Sequence, residues 1–595
     1  MTVVHAGPRS SPLPRAGEGV EVPPTPGVRE EGFGTKGLRA HWSDRIAHAA
    51  LALVALILLA FLAAPLLALL RKSFEDAQGR FAGLANFIAY AQSPALLTSL
   101  WHSLWVSVVV TAVTLPTAFC FAYALTRSCI PAKGVARAIT LIPLLAPSLL
   151  CAISLIYWFG NQGVLKSWLA PLGIDSIYGA SGIVLAEVFS TFPHALMILV
   201  AALSAADLRL YEAADALGTT AARKFWTITL PGAKYGLISA ALVVFTLVIT
   251  DFGIPKVIGG NFNVLATDVF KLVIGQQDFQ RGAVVALLLL APALLTFAAD
   301  HWVSRRQTAM LGARAVPYVP RRNARYDAAM GLYCIGVCAL MLAMLGMAVF
   351  ASFAKFWPYN LEPGLRHYRF GLVDAEVGTA FVNSLLMSLG TALAGTSVVF
   401  VGAYLLEKTS GARLLRGLVR MLALLPMAVP GLVLGLAYIF FFNAPGNPLN
   451  GLYHTLALMT ICTVVHFATT GHLTAVTALK GLDAEFEAVS ASLKVPFYKT
   501  FWRVTLPLCA PALVDIARYF FINAMTTVSA VVFLYAPETK VAAIAILNLD
   551  EAGEIGAAAA MAVLIAAANT IAVVLFMALS RWVGQRTQAW AARSE

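Results

Sequence analysis

Charge is what this 595-residue chain lacks most: Asp, Glu, Lys and Arg together make up 12% of it, against 59% apolar residues. Soluble domains carry roughly twice that charge, so a soluble globular fold is excluded. Cysteine is scarce too. Its seven copies include no C-x-x-C pair, and Cys334 and Cys338, although i, i+4 on one helix face, lie in an apolar run with no His or acid nearby. Metal and redox roles are therefore set aside in favour of apolar packing. No G-x-x-x-x-G-K-[ST] phosphate loop occurs, so ATP chemistry would have to reside in another polypeptide and no cofactor is expected on this one. The apolar runs hold no cluster of acids, His or Cys at catalytic or metal spacing, which argues against a membrane enzyme. No apolar stretch follows Met1 closely, so a cleavable leader is not expected.

Long apolar runs are what the chain has. About twelve reach bilayer-crossing length, near residues 46–70, 100–126, 138–159, 180–203, 235–256, 281–303, 327–352, 379–405, 418–442, 453–478, 510–535 and 556–580. Barrel-type alternation is absent, and lipid forces each run to close its backbone hydrogen bonds internally. The expected fold is all-α: a polytopic membrane protein in the lipid bilayer, with about 12 transmembrane helices. Basic residues orient it. Arg127, Lys133 and Arg137 have no acid among them, nor do Arg305, Arg306, Arg314, Arg321, Arg322 and Arg325, whereas 538–556 holds Glu538, Asp550, Glu551 and Glu554 against Lys540. Both termini are then expected in the cytoplasm. The net charge of +12 follows from the same rule and needs no nucleic-acid partner.

The chain also repeats itself. Residues 212–231 read EAADALGTTAARKFWTITLP and residues 488–507 read AVSASLKVPFYKTFWRVTLP, with Phe225-Trp226 and Thr229-Leu230-Pro231 returning as Phe501-Trp502 and Thr505-Leu506-Pro507 at an offset of 276. Asn383-Ser384-Leu385 echoes His102-Ser103-Leu104, and Ala403-Tyr404 echoes Ala122-Tyr123. Pro143 and Pro147 return as Pro426 and Pro430. In-span prolines free carbonyls that neighbours must satisfy, so these two spans are expected to be bent inside the bundle, near a pathway. Six spans per half make parallel repeats with the pathway at their seam. The expected division is a Pro/Gly/Glu-rich disordered tail (1–45), a first half (46–303), a basic linker (304–326), a second half (327–582) and a C-terminal tail (583–595).

Glu212-Ala213-Ala214, Gly218 and Leu230-Pro231 have the spacing of the EAA loop of ABC importer permeases, which this loop resembles. That resemblance implies two short helices around a turn, docking in a groove of an ATPase subunit. Glu212 suits a helix N-terminus, Gly218 a chain reversal, and Leu230-Pro231 the start of the next span. The second loop departs from the pattern: Ala488 stands where Glu212 does, Glu487 lies one residue earlier, and Lys494 replaces Gly218 with Pro496 close behind to shape the turn. Leu506 and Pro507 keep the end of the motif. Residues 46–582 as a whole resemble the fused permeases of the ferric-iron-type importer family. Segments 249–270, 486–507 and above all 524–553 resemble permeases assigned to 2-aminoethylphosphonate uptake. The resemblance implies two copies of an ABC ATPase subunit below, a periplasmic substrate-binding protein above, and a place in the bacterial inner membrane. The expected substrate is 2-aminoethylphosphonate, with ferric iron, polyamine or thiamine as the alternative.

A carboxylate inside a span disfavours insertion by roughly 2.5–3.5 kcal/mol, so each one asks for a reason. Asp251, twenty residues after Pro231, falls near the outer mouth of its span; its repeat partner is Thr527. Asp251, Thr527 and Asn523 are candidates for the pathway, Asn523 as a candidate interhelical hydrogen bond. Asp515 and Arg518, at i, i+3, are expected to pair. Glu187, His194 and His466 read as packing or gate hydrogen bonds, with a proton relay as the other reading. An ion-coupled carrier of six plus six spans is the competing function, but it would not need matched cytoplasmic loops.

Overall fold

The computed structural model describes residues 42–310, 316, 318–369, 375–483 and 485–587. Among them nine helices are long and apolar enough to cross a bilayer, and three bent helix pairs raise the number to twelve if each pair is one span. The first half runs α1 (Trp42–Ser73), α2 (Pro94–Arg127), a bent pair α3 (Lys133–Leu145) and α4 (Leu149–Phe159), α5 (Ala180–Ser204), a short α6 (Leu208–Ala216), α7 (Ala221–Thr250) and α8 (Phe279–Met310). The second half repeats that order as α9 (Ala324–Phe353), α10 (Ala375–Lys408), the bent pair α11 (Arg413–Ala428) and α12 (Gly431–Phe442), α13 (Leu456–Lys480), α14 (Glu485–Ser492), the bent pair α15 (Phe497–Leu508) and α16 (Ala510–Thr526), and α17 (Ile555–Thr587).

Helix ends move several expected boundaries. Most of the 1–45 tail, residues 311–315 and 317 of the linker, and residues 588–595 lie outside the described residues. Residues 42–45 already belong to α1, α8 runs on to Met310, and α17 runs on to Thr587.

The duplicated prolines bend their spans. The axes of α3 and α4 differ by 101°, and those of α11 and α12 by 115°. Ala146 before Pro147 and Val429 before Pro430 are extended, because a residue preceding proline is driven out of the helical region. The third break has no twin. α15 and α16 meet at 76° beside Cys509, whereas α7 continues unbroken. Pro511 explains the difference: its counterpart in α7 is Tyr235, which keeps the amide that Pro511 lacks.

Each half lends its first helix to the other. α1 packs on α11 and α12, while α9 packs on α3 and α4. The carbonyl of Phe61 accepts from Tyr438 Oη at 2.6 Å, and that of Ala343, 282 residues on, accepts from Trp158 Nε1 at 3.2 Å. Asn569 Nδ2 to Leu145 O (2.9 Å), the Lys256–Glu551 ion pair (2.6 Å) and the stacked Phe270 and Phe533 rings close the remaining seam. At this seam burial and Glu551 push the Asp550 carboxyl up to about 6.

The repeat persists at the level of single hydrogen bonds. Ser103 Oγ accepts the Leu265 amide at 2.7 Å, and Ser384 Oγ accepts the Ala542 amide at 2.7 Å. Beside them His102 Nδ1 meets Asn263 O at 3.0 Å, and Asn383 Nδ2 donates to Lys540 O at 2.9 Å. Each serine pins the short helix that precedes the last span of its half, Leu265–Phe270 in the first and Ala542–Glu551 in the second. Ser384→Ala strands a buried amide, a loss of about 1–3 kcal/mol. Both Ser384→Ala and Ser103→Ala are expected to lower the thermal midpoint of the purified permease by similar amounts; a shift in only one would deny the equivalence.

Candidate functional site: two loops at one end of the bundle

α9 begins beside the end of α2, where Cys129 N donates to Asp327 Oδ1 at 2.8 Å, and crosses the bundle before α10 returns. The ends of α2 and α10, and the loops beneath them, therefore share one end of the bundle. The first loop is α6, a turn, and the first residues of α7. Asp207 caps α6, accepting the Arg209 amide at 3.1 Å. Glu212 does not cap it; it lies inside α6, exposed. Ala213 is exposed beside it and Ala214 is buried beneath. Gly218 makes the turn with φ +68, a conformation costly for residues bearing a Cβ. Thr220 caps the next helix through the Arg223 amide. Lys224 pairs with Asp215 across the turn and holds that carboxyl below the usual range.

The second loop keeps this geometry with other residues. Lys494, at the register position of Gly218 (218 + 276), itself adopts φ +56, so the lysine makes the turn and Pro496 only opens the helix after it. Ala488 is exposed like Glu212. In both loops the helix then passes through one π turn, Phe225–Thr229 and Phe501–Thr505, in which the Leu230 and Leu506 amides reach back five residues to Phe225 O and Phe501 O. The expected boundary at Leu230-Pro231 is thus no boundary: α7 starts at Ala221 and carries Pro231 just past the π turn. Leu506 and Pro507 occupy the matching place, three and two residues before the break at Cys509.

The repeated Phe-Trp pair splits its roles. Phe225 turns inward, edge-on to Tyr123 (5.7 Å) and Phe119 (6.1 Å) of α2; Phe501 turns inward against Tyr404 (4.8 Å) and Phe400 (6.0 Å) of α10. Trp226 and Trp502 turn outward, 65% and 64% exposed. They are joined by Leu217 (83%) on the first loop and Leu493 (70%) on the second. Each loop is thus bolted to its half from above and offers apolar side chains below.

A second brace explains the displaced glutamate. Arg127, buried at the end of α2, donates to Leu203 O at 2.8 Å and lies over the rings of Tyr318 (4.3 Å) and Tyr211 (5.4 Å). The equivalent of Arg127 in α10 is Lys408 (127 + 281), and the equivalent of Tyr211 is Glu487 (211 + 276). Lys408 and Glu487 pair at 3.0 Å. One half holds its loop helix by cation and ring, the other by cation and carboxylate. Glu487 is therefore a brace facing the span, not a counterpart of the exposed Glu212.

The pathway candidates lie elsewhere. Asp251 and Thr527 end α7 and α16 with the same backbone, ψ 134° in each. Asp251 accepts the Ile254 amide at 2.8 Å and the Ser148 hydroxyl at 3.4 Å; Thr527 is buried. Asn523 donates to Tyr519 O at 2.8 Å, four residues back on its own helix, so the expected interhelical bond is corrected to an intrahelical one. Asp515 and Arg518 pair at 3.1 Å.

A doubled six-span bundle whose halves exchange their first helices and present twin loops at one end defines a membrane permease. The chain belongs to the family described as binding-protein-dependent transport system inner membrane component, whose model matches residues 118–309 and again 399–585. It is 27% identical over 567 residues to the ferric transport system permease protein FbpB of Actinobacillus pleuropneumoniae, covering 92% of this chain and 79% of that one. It is 26% identical over 208 residues to the molybdenum transport system permease protein ModB of Escherichia coli K12, covering 34% of this chain and 91% of that one. A bacterial alginate ABC transporter, solved with an alginate pentasaccharide-bound periplasmic protein, aligns over 44% of this chain and 96% of its own at 17% identity and a TM-score of 0.37.

Proposed function

We propose that this permease forms both halves of the channel of an ATP-driven importer, taking ferric iron from a periplasmic binding protein to the cytoplasm. The observation that carries the ATP-driven part is the pair of loops at one bundle end, each fixed to its half by an inward-turned Phe and each exposing Trp and Leu. Two loops suit two copies of an ATPase subunit. Glu212, Ala213, Gly218, Leu230 and Pro231 form one contact region, with the buried Ala214 packing beneath it; Ala488, Lys494, Leu506 and Pro507 form the other, braced by Glu487. Nucleotide moves the bundle only if the ATPase dimer binds it differently in the inward and outward states. The basic loops support a reading with both termini, the linker and both coupling loops in the cytoplasm, the linker joining the halves between the end of α8 at Met310 and the start of α9 at Ala324.

Ferric iron is preferred over the 2-aminoethylphosphonate expected from segment 524–553 because the ferric relative aligns across nearly the whole chain. The buried Glu187 and the half-buried Asp251 suit a cation and oppose a bare oxyanion such as sulfate or molybdate. The phosphonate reading keeps the support of that segment, and one deletion separates the two. Loss of the coding sequence is expected to reduce radiolabelled ferric uptake at limiting iron by about tenfold or more and to leave growth on 2-aminoethylphosphonate as sole phosphorus source intact. The reverse pattern would establish the phosphonate reading. Uptake that persists without any ATPase subunit would make the protein an ion-coupled carrier.

A further inference from the structure

The breaks in the two bent spans face different chemistry. At the first, Ser148 follows Pro147 and its hydroxyl meets Asp251 Oδ1 at 3.4 Å, while the Ile254 amide holds Oδ2 at 2.8 Å. Ser148 and Asp251 are both half-buried. Glu187 of α5 brings its carboxyl into hydrogen-bond contact with that of Asp251. Glu187 is 1% exposed, and its Oε1 has no hydrogen-bond partner. Among the ion pairs of the described residues none involves either acid.

The second half supplies the control. Adding the offset of 276 turns Glu187 into Thr463 and Asp251 into Thr527, both buried. Its break carries Gly431, where a Cβ would lie 2.6 Å from Ser529 Oγ and 3.2 Å from His466 Nε2. The same helices in the same order therefore pack without either acid. The carboxyls are not required to build the bundle, yet each disfavours membrane insertion by roughly 2.5–3.5 kcal/mol. The hydrogen bond between the two carboxyls needs one of them to carry the proton; a cation between them lets both ionise without repulsion.

We infer that Ser148, Asp251 and Glu187 form a transit site for a hard metal cation, present on one side of the pathway only. The inference rests on the cation-import reading above and adds where the cation pauses. Two carboxylates and a hydroxyl are hard oxygen donors, with water completing the shell. No group of three or more His, Cys, Asp or Glu side chains among the described residues is placed to hold a metal ion. The site is thus an incomplete cage, and that suits transport, because a conducting site must release what it binds.

Terbium(III), a hard trivalent cation with a luminescent readout, is the probe, titrated onto the full-length chain in lipid nanodiscs. Wild type is expected to bind it saturably. Glu187→Gln and Asp251→Asn, both isosteric and checked for fold by size exclusion, should each weaken binding by about tenfold or more. Glu187→Asp should keep most of the affinity, and Thr463→Val should match wild type. Wild-type affinity in both Glu187→Gln and Asp251→Asn would place the terbium on surface carboxylates and overturn the site. So would ferric uptake at the wild-type rate in those two variants, while leaving the importer reading intact. Terbium binding by a wild-type chain that imports no iron would overturn the iron reading and leave the site standing.

Discussion

Replacing Phe225 and Phe501 together with alanine is expected to abolish ATP-driven uptake while the chain still inserts and still meets its ATPase. Each ring sits where a π turn meets the end of a second span, between two aromatic residues of α2 or α10. Removing a packed Phe destabilises its site by about 3–5 kcal/mol. Here the loss falls on the joint between loop and bundle, because the exposed faces with Trp226, Leu217, Trp502 and Leu493 are untouched. A loop that docks but no longer pulls gives ATP hydrolysis without transport. The check is substrate uptake beside ATPase activity in the same reconstituted vesicles. Single variants should leave partial uptake, with Phe501→Ala the more severe, since Phe501 is buried and Phe225 only half-buried. Uptake above half of wild type in the double variant would show that force does not pass through these rings. The outward tryptophans give the opposite pattern: Trp226→Ala with Trp502→Ala should weaken capture of the ATPase and lower hydrolysis and uptake together.

Much of this was legible in the sequence because duplication amplifies weak signals. A lone Phe-Trp before Leu-Pro says little; the same four residues 276 positions later mark two equivalent loops. The doubled prolines at 143/147 and 426/430 foretold the two sharp bends for the same reason. What stayed hidden were contacts between distant positions. Glu487 looked like a displaced copy of Glu212 because its partner, Lys408, lies 79 residues away in another helix. The meeting of Glu187 with Asp251 spans 64 residues. Lys494 was hidden for a different reason. A lysine in the left-handed region costs roughly 1–2 kcal/mol, so sequence rules assign such turns to glycine. The surrounding fold imposes the conformation anyway, so the alignment of Lys494 with Gly218 was a better guide to the turn than Pro496. Asn523 misled because its side chain satisfies itself locally, four residues back along its own helix, and needs no neighbour.

The brace at Lys408 yields the other large effect. Lys408 is 10% exposed and Glu487 26%, so their pair at 3.0 Å is mostly withdrawn from water. Breaking a buried pair from one side is expected to destabilise by about 3–5 kcal/mol, because the remaining charge is left without a partner. Lys408→Glu places Glu487 against a second carboxylate beside Glu407 and should disconnect the second loop. Glu487→Lys alone sets two lysines together and should fail similarly. The combined swap restores opposite charges at the same spacing and is expected to recover most of the lost uptake, a coupling that independent sites would not show. The first half offers a brace without a carboxylate. There Arg127 holds Tyr211 by its ring, so Glu487→Tyr in an otherwise wild-type chain copies the other half's chemistry. It should retain more uptake than Glu487→Ala, which leaves Lys408 with neither ring nor carboxylate. Equal losses in Glu487→Tyr, Glu487→Ala and the charge swap would mean that the cation at the end of α10 does not brace the loop, and the correspondence between Arg127 and Lys408 would then be one of position without function.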